Sequence, residues 1–97
     1  MITLNPNKGA LAYMHQAHRA QEWVLGKTHP DTLATTNILG LTYDRLDDSV
    51  KAEEMYRLAY DGFEKTLGKD YKETKGCAKT LTCIHERLEI LTERGIL

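Results

Sequence analysis

Leu25-Gly26-Lys27-Thr28-His29-Pro30-Asp31-Thr32-Leu33 decides the fold, because its opening recurs as Leu67-Gly68-Lys69, 42 residues further on. The same offset pairs Thr32 with Thr74, Leu39 with Leu81, Arg45 with Arg87 and Leu46 with Leu88. Taken backward it pairs Ala52 with Ala10, Ala59 with Ala17 and Glu64 with Glu22. Self-similarity at a fixed period of this size marks a stacked repeat array, in which each unit buries its apolar face only against its neighbours.

Working outward, the punctuation within the repeat predicts helices over roughly 8–25, 30–46, 49–67 and 71–93. Residues 1–7 read as an irregular lead-in, with Asn5-Pro6-Asn7 as the breaker. Gly26 and Gly68 stop the first and third helices, since glycine enters the left-handed region without strain. Pro30 suits the first position of the second helix, where its missing N–H costs no bond, and Asp31 complements the helix dipole. Asp47-Asp48-Ser49 makes the next turn, and either Asp48 or Ser49 can cap the third helix. In that helix Ala52, Tyr56, Ala59, Tyr60, Phe63 and Leu67 form one apolar stripe at helical spacing. The small residues Gly40, Ala52 and Ala59 fall where antiparallel helices approach, and Tyr43 and Tyr56 fill the space beside them. No segment alternates with period two, so no sheet is expected.

Composition narrows the function classes. The 97 residues suit a single domain, 1–97. A formal net charge of −1, with basic and acidic residues interspersed, argues against a nucleic-acid surface. No apolar run approaches the ~20 residues that span a bilayer, and no basic-then-apolar signal opens the chain. Cys77 and Cys83 lie six apart on one expected helix, about 9 Å along its axis, too far to bridge each other. Reduced thiols and a cytoplasmic setting are the expectation.

At these residues the chain resembles the tetratricopeptide repeat (TPR) proteins, with the 42-residue repeat of kinesin light chains as the nearest subtype. The family phrase stands here as Leu25 through Leu33, Leu39-Gly40-Leu41-Thr42-Tyr43 and Ala52 through Ala59. The downstream copy departs from it, with Tyr71-Lys72-Glu73 for His-Pro-Asp and His85 for Tyr43. The resemblance implies an all-α fold: antiparallel helical hairpins stacked as a short α-solenoid of about four helices, reading B, A, B, A. It implies a protein-protein interaction module whose A helices line a concave groove for a peptide or protein partner. By spacing, that groove takes Asn37, Leu41, Asp44 and Arg45 from one repeat and Lys79, Cys83, Glu86 and Arg87 from the next.

Other chemistry is weakly supported. His29-Pro30-Asp31 matches a co-chaperone tripeptide, but it sits inside the repeat phrase as a helix start. His15 and His18 are three apart on one helix and lack the further ligands a metal site needs. There is no catalytic triad, phosphate loop or nucleotide fingerprint, so neither enzyme activity nor a cofactor or metal is expected. Trp23 replaces what is Lys65 in the next copy and reads two ways: a partly buried shield for the first helix, or an interface anchor. About three repeats are usually needed for stability, and four helices fall short of that. The alternative function is therefore structural, as a homodimer or a fragment of a longer array.

Overall fold

The computed structural model describes residues 6–95, with side chains from residue 9. Four helices succeed one another: α1 (Pro6–Leu25), α2 (Pro30–Arg45), α3 (Ser49–Leu67) and α4 (Lys72–Glu93). No strand occurs among the described residues. Residues 1–5 of the expected lead-in lie outside them. Pro6 opens α1 instead of preceding it. Proline's fixed φ and absent N–H suit that first position.

Each remaining boundary has a local cause. His29 caps α2, its ring Nδ1 accepting from the Asp31 N–H at 3.1 Å, and Pro30 occupies the first helical position. Asp48, rather than Ser49, caps α3 by accepting from the Lys51 N–H at 3.2 Å. Asp47 carries the turn before it at φ 61°, a left-handed position that Asp tolerates better than most residues. Gly26 and Gly68 turn the chain at φ 95° and 89°, where a β-carbon would be strained. Tyr71 precedes α4 without a side-chain cap.

Two apolar clusters hold α2, α3 and α4 together. Leu33, Ala59, Phe63 and Cys77 form one, with Tyr60 and Leu67 packed beside them. Ala52, Tyr56 and Ile84 form the other, flanked by Tyr43, Leu81 and Leu88. Burying a side chain such as Phe63 or Ile84 contributes about 1.5–3 kcal/mol.

Close approach depends on two glycines. A β-carbon on Gly40 would lie 2.9 Å from the Tyr56 ring, and one on Gly62 would collide with Leu33. The repeat also shows in detail: Thr32 and Thr74, one period apart, are both buried with hydroxyls that find no partner among the described residues.

The first helix attaches differently. Among the described residues α1 supplies none to either cluster, and it meets α2 through side-chain hydrogen bonds. His15 Nε2 lies 2.8 Å from the Tyr43 hydroxyl, His18 Nε2 lies 2.8 Å from Thr36 Oγ1, and Thr35 donates to Gln21. The Cα trace measures 40 × 37 × 16 Å, a slab about two helix layers thick.

Candidate functional site: the concavity between α2 and α4

α2 and α4 are neighbours in one layer, with α3 behind them. They touch through side chains: the Cys77 thiol donates to Asn37 Oδ1 at 3.7 Å, and Arg87 pairs with Asp44. Beside the Asn37–Cys77 contact, toward the N-terminal ends of both helices, they leave an open concavity of about 380 Å³. Ala34, Asn37 and Ile38 line one wall, Lys72, Glu73, Gly76 and Cys77 the other, and Phe63 of α3 the floor.

The helical period explains the lining. Ala34, Ile38, Leu41 and Arg45 recur at three and four, so they share one face of α2. That face is open: Ile38 is 46% and Leu41 42% exposed. One period on, the same face of α4 carries Gly76, Thr80, Cys83 and Arg87. Gly76 leaves the α4 wall bare beside Ala34, and the apolar side chains on α2 stand over the gap.

Of the residues expected from spacing, Asn37 lies at the concavity's edge, half-buried. Its carbonyl accepts from Cys77, which leaves the amide N–H groups as donors. Leu41, Arg45, Cys83 and Arg87 lie on the two open faces. Asp44 is engaged with Arg87.

Lys79 and Glu86 fall elsewhere. They share the register of Asn37 and Asp44, which on α2 is the edge that meets α4. On α4 the same edge faces no helix among the described residues, and both side chains are exposed. The offset transfers a position in the repeat, but not the neighbour that makes that position part of a groove. Ala34, Ile38 and Gly76 were not among the expected residues. Their signal was the solvent-facing stripe of α2, extended by one period.

The thiols differ in environment. Burial pushes the Cys77 thiol above its usual pKa, with Glu73 adding to the effect, while Cys83 is exposed. His15 and His18 point their ring nitrogens at α2 residues, and Glu22 lies 3.3 Å from the other His18 nitrogen. Among the described residues no group of three His, Cys, Asp or Glu converges as a metal site would. No helix there is long and apolar enough to cross a membrane. Trp23 is 90% exposed and shields nothing, against the reading of it as a cover for α1.

A second furrow, about 360 Å³, runs between α1 and α3. Its rim carries Glu22, Lys27, Asp61 and Lys65 around Leu33 and Leu58.

Among known protein families, a model described as Tetratricopeptide repeat matches residues 7–65. No curated protein matches the chain.

Proposed function

The chain belongs to the tetratricopeptide repeat family, and from that premise we propose that the α2–α4 concavity holds an extended segment of a partner protein. The family supports a protein-interaction module in general. The observation that carries the finer reading is the apolar face Ala34–Ile38–Leu41, left open beside Asn37 and opposite Gly76.

An extended peptide needs two things from such a wall. Ile38 and Leu41 cover alternate apolar side chains of the ligand, while the Asn37 amide donates to a peptide carbonyl. The lining is built for contact more than for chemistry: Lys72 and Glu73 stand exposed at its edge, and burial raises the pKa of the Cys77 thiol, which disfavours the nucleophilic thiolate. The reading is therefore a non-catalytic binding site.

The test is selection of a random peptide library on the immobilised chain, followed by titration of the winning peptides. Ile38→Glu should weaken their binding at least tenfold, since it places a charge on the apolar wall. Lys79→Glu, on the outer edge of α4, should leave affinity within about twofold. Peptides that bind Ile38→Glu as well as the wild type would place the site elsewhere.

A further inference from the structure

The uncovered face of α1 is the second site the molecule offers. Moving α3 back by one period superposes Ala52, Met55, Ala59 and Gly62 on Ala10, Tyr13, Ala17 and Ala20 of α1. On α3, Ala52, Ala59 and Gly62 are buried, with Leu33 of α2 against Gly62. On α1, Ala10, Tyr13, Ala20 and Val24 are exposed and Ala17 is half-buried. The packing face of α3 thus recurs on α1, where nothing among the described residues covers it.

We propose that a second copy of this chain covers that face, α1 against α1 in antiparallel orientation about a two-fold axis near Ala17. Three observations favour this occupant. Ala10, Tyr13, Ala17, Ala20 and Val24 are spaced alternately three and four apart, the seam pattern of paired helices. The seam is self-complementary on reversal. Ala10 and Val24 lie seven residues to either side of Ala17 and so oppose each other, while Tyr13, four away, falls opposite Gln21 and beside Ala20 of the partner. Finally, the positions flanking the seam are uncharged: Gln16 and Trp23 on one side, Met14 and Gln21 on the other.

The other end of the same chain is a poor occupant. α4 presents Lys75 and Thr82 in the register of Leu33 and Gly40, the residues that α2 applies to α3. Docking α4 on α1 would press a lysine where the internal interface has a leucine. The α1 pair instead folds Trp23 over the edge of the seam, which accounts for a tryptophan 90% exposed in the single chain.

Sedimentation equilibrium on the 97-residue chain tests this, with Tyr13→Glu and Val24→Glu as variants. Both sites are more than two-thirds exposed, 71% and 75%, so the fold of each chain should persist, checked by circular dichroism. The wild type should dimerise with rising concentration, and either variant should remain monomeric. An Ala17→Cys, Cys83→Ser chain should also form a disulfide-linked dimer with diamide as oxidant. A wild type that stays monomeric at its highest soluble concentration overturns the proposal. So does a dimer that survives both glutamates, or one that Ala17→Cys does not link. The α1 seam and the α2–α4 concavity share no residue, so failure here is distinguishable from failure of peptide binding.

Discussion

At Gly62 the distance between two helices is set by the absence of one carbon. Leu33 occupies the space where a β-carbon would go, and both residues are buried. Gly62→Ala should therefore cost about 1–3 kcal/mol from overpacking, partly offset by the ~1 kcal/mol of helix propensity that alanine gains over glycine. Chemical denaturation should show a lower midpoint with an unchanged slope, and Gly9→Ala, which meets nothing within 4 Å, should not lower it. The contrast isolates contact from propensity. Gly62 escaped sequence reading because a glycine inside a helix is usually read as a weak point, and its partner lies 29 residues away. Gly40 was legible because it lies within the family's own Leu-Gly-x-x-Tyr phrase.

Among the elements, α3 and α4 are joined by a polar clasp as well as by core. Glu53 of α3 accepts from His85 Nε2 at 2.9 Å and from Arg57 Nε at 2.9 Å. The His85 hydrogen bond, with Arg57 assisting and burial opposing, holds the Glu53 carboxyl below its ordinary value. The folded chain thus binds this proton less readily than the unfolded one. Its contribution is complete above the ordinary carboxylate range, near pH 4.5, and is lost as pH falls through the depressed value. Thermal melts between pH 6 and pH 3 should show the wild type losing more stability than Glu53→Gln, which has no such proton to gain. Helix ends were largely readable at this scale, because Gly26, Pro30, Asp48 and Gly68 act within a few residues of themselves. The clasp was not, since it joins side chains 32 residues apart through tertiary contact alone.

For the whole molecule, cohesion is uneven. Both apolar clusters lie among α2, α3 and α4, while α1 attaches chiefly through His15, His18 and Gln21. Burial holds the His15 pKa below its usual value, with the charges of Arg19, His18 and Lys51 adding to the effect. The docked helix thus favours the neutral ring. Native-state hydrogen exchange should show α1 amides opening at lower free energy than those in the middle of α3. If the second copy covers α1, that difference should narrow as concentration rises. Equal protection at low concentration would contradict the uneven cohesion. The array itself was legible from one 42-residue offset. Which faces of that array stay open was not, because it depends on the helices that lie beside each position in space.

The two glycine turns, Gly26 and Gly68, carry a consequence for how such a chain changes length. They lie one period apart and hold the left-handed backbone at φ 95° and 89°. The residues from Gly26 through Leu67 therefore form a cassette whose two ends present matching junctions. Tandem duplication of that cassette lengthens the concave surface by one further A helix, while α1 and α4 keep their places at the termini. Deletion of it joins α1 directly to α4. Whole-repeat changes in the size of this chain therefore come in steps of 42 residues, the length that returns each helix to the register of its neighbours.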